Sequence, residues 1–180
     1  MAVAECRGLF EKKTRDYGTS WRVMRLPSLT DQIFIKANRI RSIQESGENR
    51  VGDGLRGEFV AMVNYAVIAL IQGERLRMKG ESAADAEGKL ELQLDEAMAL
   101  YDKHLGSTIE LMMAKNHDYG EAWRQMRVSS MVDLILMKLL RIKQIEDNGG
   151  KTEVSEGVEG GYMDIINYSL FCMVRMSEEE

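Results

Sequence analysis

Apolar residues recur along this chain at helical spacing. Val132, Ile135, Leu136, Leu139, Leu140, Ile142 and Ile145 fall at helical offsets. A segment apolar almost all round predicts a helix buried inside a bundle. Val158, Tyr162, Ile165, Ile166, Ser169 and Cys172 place one apolar face on a further helix, from about Gly157 to Met176. A matching helix is expected from about Gly54 to Lys79, and a short one from about Val3 to Arg15. Leu90, Leu94, Met98, Tyr101 and Leu105 describe an amphipathic helix leading up to Ile109 to Lys115. No strand-like alternation competes.

The polar positions reveal a duplication. Asp16-Tyr17-Gly18, Trp21-Arg22, Met24-Arg25, Ser28, Asp31, Lys36 and Arg39-Ile40 recur as Asp118-Tyr119-Gly120, Trp123-Arg124, Met126-Arg127, Ser130, Asp133, Lys138 and Arg141-Ile142. Asn64-Tyr65 recurs as Asn167-Tyr168, one residue further on, so the loop between has gained a residue. Each copy alone is small for an independent core, so the two are expected to share one. The expected fold is all-α. Two three-helix units in tandem surround a shared pseudo-two-fold four-helix bundle, with helical repeat 1 over 1–79, a linker and added amphipathic helix over 80–106, and helical repeat 2 over 107–180. Ser28-x-x-Asp31 and Ser130-x-x-Asp133 read as capping boxes that start the second helix of each copy. Gly18, Gly47, Gly120 and Gly149-Gly150 read as helix ends, Lys13 and Lys115 as C-terminal capping cations, and Trp21 and Trp123 as core anchors.

Composition narrows the function classes. The 180 residues are 44% hydrophobic with thirteen methionines, one proline and a net charge of −5. No basic face is visible, so a nucleic acid polymer is not expected as a partner, whereas a small phosphorylated ligand needs only two or three local cations. The longest apolar stretches are interrupted by charges, so no membrane span is expected. The early Glu5 and Arg7 break any secretory core. Cys6 and Cys172 read as reduced core or surface thiols. These features together predict a cytoplasmic protein, with homodimerisation left open. His104 and His117, the only histidines, have Ala2 and Arg15 at the aligned positions of copy one, so a His-based triad or zinc site finds little support.

The candidate chemistry lies on helices two and three of each copy. Lys138 and Arg141 share one face of an otherwise apolar helix, and Lys36 and Arg39 repeat them. Buried cations need partners, here an internal carboxylate or a ligand phosphate. Glu156, Gly160, Asp164 and Asn167 fall within an arc of about 80° on helix three. Stacked carboxylates call for a cation, either Mg²⁺ or the Lys/Arg pair itself. Copy one has Asp53 for Glu156, Ala61 for Asp164, and Asn64 for Asn167, so copy two carries the fuller acidic face. Glu159 and Asp118 are supporting candidates.

The series Lys115-x-x-Asp118-Tyr119-Gly120, Lys138-x-x-Arg141, Glu156 and Asp164-x-x-Asn167-Tyr168 resembles the nucleotide modification associated domain 1 family of bacteria and their phages. Its helix-three pattern is more distantly similar to the all-α NTP pyrophosphatases, the MazG and dimeric dUTPase group. That second resemblance implies a helical bundle in which acidic residues hold Mg²⁺ and a nucleoside triphosphate is cleaved to monophosphate and pyrophosphate. It makes Glu156 and Asp164 the expected metal ligands and Lys138 and Arg141 the expected phosphate holders. The Glu-Glu-x-x-Glu run of those enzymes is replaced here by Lys138 and Arg141. The alternative is a non-catalytic helical interaction module, its Lys/Arg and Glu/Asp sets forming internal salt bridges.

Overall fold

A computed structural model describes residues 1–50, 52, 54–79, 91–154 and 157–179. Its helices are α1 (Ala2–Tyr17), α2 (Leu26–Ser46), α3 (Arg56–Lys79), α4 (Leu94–Tyr119), α5 (Val128–Asp147) and α6 (Val158–Glu179), with no strand among the described residues. A single 3₁₀ turn, Ser20–Val23 or Ala122–Gln125, leads into α2 and α5.

Helices α2, α3, α5 and α6 close a four-helix ring: α3 packs on α6, α2 on α3, α5 on α6 and α2 on α5. Leu29, Ile33 and Ile40 of α2, Phe59, Met62 and Val63 of α3, Met131, Ile135 and Leu139 of α5, and Ile165 and Ile166 of α6 form one continuous core with essentially no solvent contact. Both copies contribute to it, as their small size requires. Helices α1 and α4 pack across α3, α6 and each other. Phe10 of α1 stacks on Tyr101 of α4 at 4.3 Å between ring centres.

The two-fold relation is visible in ion pairs. Asp31 of α2 pairs with Lys143 of α5, and Asp133 of α5 lies 3.5 Å from Arg41 of α2. Position 31 aligns with 133 and 41 with 143, so one contact is made twice across the axis. This corrects the capping-box expectation. The N-caps lie three residues before Ser28 and Ser130, at extended Arg25 and Arg127, so α2 and α5 begin at Leu26 and Val128, and neither start has a side-chain cap. Pro27 fits this first turn because its missing N–H would have no helical acceptor there. Ser28 is already inside the helix, its N–H donating to the Arg25 carbonyl at 3.0 Å. Each aspartate instead meets a cation of the other copy at the exposed surface.

The glycine ends are as expected where the chain turns: Gly18 and Gly120 take φ of 61° and 58°, and Gly47 takes 70°. Trp123 is buried and stacks on Phe171, and Trp21 packs against Phe10. The added amphipathic segment and helix one of copy two are one continuous helix, α4, passing through Gly106 without a break. Residues 56–78 of α3 are long and apolar enough to span a bilayer by composition, against expectation, but two thirds of the window is buried (67%) within the bundle. Both thiols are core: burial pushes Cys6 and Cys172 up to about 12, which makes them poor nucleophiles.

Candidate functional site

The second copy carries a cleft of about 310 Å³ between α4, α5 and α6. Lys115 comes from α4, Lys138 and Arg141 from α5, Asp164 and Asn167 from α6. Leu111, Ile142, Ile145 and Met163 give the cleft an apolar wall, and Gly157, Gly160 and Gly161 keep the start of α6 bare. Four sequence-derived candidates thus meet in one place: Lys138, Arg141, Asp164 and Asn167. Lys115 joins them from a position one turn short of the helix end, so it rims a cleft instead of capping α4.

Lys138 Nζ lies 2.6 Å from Asp164 Oδ2, with both side chains about three quarters buried (21% and 28% exposed). Neither Arg141 nor Lys115 has an ion-pair partner among the described residues. Asn167 is 8% exposed, and its Oδ1 has no hydrogen-bond partner among them. A buried amide oxygen left unpaired costs about 1–3 kcal/mol. Gly161 is required by packing: a Cβ there would lie 2.9 Å from Ile142 Cδ1 and Cγ1. Burial first, then the Asp164 charge, push the Tyr168 phenol up, and Lys138 opposes them.

The first copy arranges the same parts differently. Glu58 is 8% exposed and reaches both cations, Lys36 at 3.1 Å and Arg39 through its other oxygen. Glu58 aligns with Gly161, and Ala61 aligns with Asp164. The counter-carboxylate has therefore moved by one helical turn between copies. Copy one does not lack an acid, as the Asp164/Ala61 comparison suggests; it keeps one three residues earlier. The signal was in the alignment, as two neighbouring columns in which Glu/Gly and Ala/Asp exchange. Asn64, unlike Asn167, is satisfied at both ends: it donates to the Cys6 carbonyl at 3.1 Å and accepts from Tyr101 at 2.6 Å. A smaller cleft of about 230 Å³ beside it is mainly aromatic and aliphatic, with Lys13 at its edge.

Other candidates lie elsewhere. Glu159 pairs with Arg77 of α3, which holds its carboxyl below the usual range, and does not line the cleft. Asp118 is 80% exposed beside His117. Glu156 and Asp53 fall outside the described residues. Among the described residues no group of three or more His, Cys, Asp or Glu could hold a metal ion. Asp164 is the one carboxylate among the described residues lining the cleft, and a lysine already neutralises it. Mg²⁺ takes octahedral oxygen donors, of which the described lining supplies this one carboxylate.

A family model described as nucleotide modification associated domain 1 matches residues 13–72 and 115–176. The chain belongs to the nucleotide modification associated domain 1 family. It holds that domain twice, and each matched segment opens on the aligned lysine, Lys13 or Lys115. The second nucleotide modification associated domain contains the polar lining of the larger cleft, while the first 21 residues of α4, Leu94 to Ala114, precede it. No curated protein and no solved structure matches the chain.

Proposed function

We propose that the second copy binds a nucleotide, with its phosphates on Arg141, Lys138 and Lys115 and its base or sugar against the apolar wall and Asn167. The observation that carries this reading is the charge imbalance of a partly buried cleft: among its described lining residues, three cations face a single carboxylate. Arginine presents a rigid donor fork suited to phosphate oxygens. Asn167 Oδ1 is an acceptor that a base amino group or a sugar hydroxyl would satisfy. A cleft of about 310 Å³ lies at the low end of the range for small-molecule sites, about 300–1,000 Å³.

The proposed activity is binding. Metal-dependent cleavage of the triphosphate would need carboxylates beyond Asp164, since two-metal chemistry shares ions among several. The alternative, a module held together by internal salt bridges, is favoured in copy one by Glu58 between Lys36 and Arg39.

The test is a melting and calorimetric screen of the full chain against nucleoside and deoxynucleoside mono-, di- and triphosphates, with and without Mg²⁺. A ligand at a hundred times its Kd stabilises by about 2.7 kcal/mol, roughly 5–11 °C at 2–4 °C per kcal/mol. Arg141→Ala should abolish the shift. Absence of a shift with every nucleotide refutes the proposal.

A further inference from the structure

We infer that Glu58 is a built-in occupant of the first copy's anion site, so that copy one is closed and a phosphate group enters only copy two, between Lys138 and Arg141 above Gly161. This rests on the nucleotide-binding reading of copy two. One chain here holds two versions of one site.

Both copies present the same three cations: Lys13, Lys36 and Arg39, or Lys115, Lys138 and Arg141. Among the described residues one carboxylate of helix three meets these cations in each copy, Glu58 or Asp164, so the number of pairing acids does not separate them. Geometry does. The Glu58 carboxylate lies between Lys36 and Arg39 and contacts both, one oxygen to each cation. That is where a tetrahedral oxyanion would put two of its oxygens. In copy two the equivalent position is Gly161, which has no side chain. Asp164, shorter and one turn on, reaches Lys138 at 2.6 Å and leaves Arg141 without an ion-pair partner among the described residues. Glu58 therefore marks what the second site takes, an anionic group with at least two acceptor oxygens.

A second observation points the same way. In copy one the amide shared by both copies is also closed. The Tyr101 hydroxyl donates to Asn64 Oδ1 at 2.6 Å, and Tyr101 lies in the part of α4 that precedes the second family segment. No described residue does this for Asn167, whose buried Oδ1 is unpaired. Copy one is thus sealed by its own carboxylate and by a phenol from α4, and among the described residues copy two has neither contact.

The test is titration of the full chain with inorganic pyrophosphate, read by calorimetric stoichiometry. The wild type should bind one pyrophosphate per chain, lost in Arg141→Ala. Glu58→Ala should expose Lys36 and Arg39 and raise the stoichiometry to two, the new site being lost when Arg39→Ala is added. Glu58→Gln keeps the shape and helix while cancelling the charge, and serves the same reading should Glu58→Ala fail to fold. Pyrophosphate should then raise the Tm of the Glu58 variant more than that of the wild type. A stoichiometry fixed at one in both Glu58 variants overturns the inference while leaving nucleotide binding intact, and so does a wild type that already binds two. A wild type that binds none while a Glu58 variant binds one keeps Glu58 as occupant and refutes the reading of copy two. No binding by either refutes both.

Discussion

The same substitution should have opposite effects at two glycines, and the difference tests how closely α5 and α6 approach at the cleft. Gly73 lies within α3, and an added Cβ there meets nothing within 4 Å. Alanine relieves the entropic cost of a helical glycine, about 1 kcal/mol. For a chain of this size that is roughly 2–4 °C in Tm, so Gly73→Ala should melt higher than the wild type. Gly161 is also helical, but its added Cβ would lie 2.9 Å from two side-chain atoms of Ile142, which is 1% exposed and cannot move outward. Overpacking of this kind costs about 1–3 kcal/mol and outweighs the propensity gain. Gly161→Ala should therefore be neutral to about 2 kcal/mol destabilising. The two variants should be about 1–3 kcal/mol apart, roughly 2–12 °C. Calorimetric and urea melts measure this. Ile142→Val alone costs about 0.5–1.5 kcal/mol. In the Gly161→Ala background it should cost less or become favourable, because it removes one clashing atom and the two sites couple. The reasoning is refuted if Gly161→Ala melts as high as Gly73→Ala, or if the Ile142→Val cost is the same in both backgrounds.

Two further outcomes follow from the charged and buried polar groups. Asp164→Ala leaves Lys138 facing Arg141 and Lys115 with no carboxylate among the described lining residues, and should lower stability by about 1–2 kcal/mol, between the values for exposed and buried pairs; a higher Tm would mean that Asp164 is repelled by other acids and not held by Lys138. Glu146 is half-buried beside Thr30 and Tyr162, whose hydroxyls lie 2.8 Å and 3.2 Å from its Oε1. Burial raises its pKa, opposed by those two hydrogen bonds, while Asp31 raises it further and Lys143 lowers it. A raised carboxyl pKa favours the protonated folded form. Its contribution to stability is thus full below the ordinary value of about 4.3 and lost as pH rises through the folded value. The Tm of the wild type minus that of Glu146→Gln should fall from pH 4 to pH 7, and a flat difference would show that Glu146 titrates as if unfolded.

Much of the architecture was legible because it depends on repeated, period-3.6 information. The apolar columns of α2 and α5 gave the bundle, and the recurrence of Asp-Tyr-Gly and Trp gave the two units. The helix starts were misread because Ser-x-x-Asp has the same form as a cap and as a first-turn serine followed by a surface acid. Only the partner helix shows that Asp31 belongs to Lys143 and Asp133 to Arg41. The continuity of α4 was half visible, since its stripe from Leu94 to Leu105 runs in phase into Ile109. The cleft was legible in its cations and in Asp164 and Asn167, which all lie on faces that periodicity can align. Glu58 was missed because matching like with like hides a compensating exchange: Glu over Gly reads as drift until Ala over Asp, one turn on, is taken with it.

That exchange bears on how a duplicated chain can divide its labour. The shared core of α2, α3, α5 and α6 ties both halves to the same geometry, and the pairs Asp31–Lys143 and Asp133–Arg41 repeat across it. A carboxylate moved by one turn on helix three changes a site without disturbing that frame. Glu58 can span Lys36 and Arg39 because the start of α3 holds it beside both. Asp164, shorter and further along α6, pairs with Lys138 alone, and Gly161 lets α6 lie close against Ile142 at the wall of the cleft. The helices, the cations and the asparagine stay in register, while in copy two Arg141 has no ion-pair partner and Asn167 Oδ1 no hydrogen-bond partner among the described residues. The unpaired buried acceptor costs stability, whereas Arg141 is exposed and stays solvated. A half that needed only to fold would gain by adopting the arrangement of copy one. The costlier arrangement of copy two is the physical ground on which the proposed ligand is assigned to that copy and not to copy one.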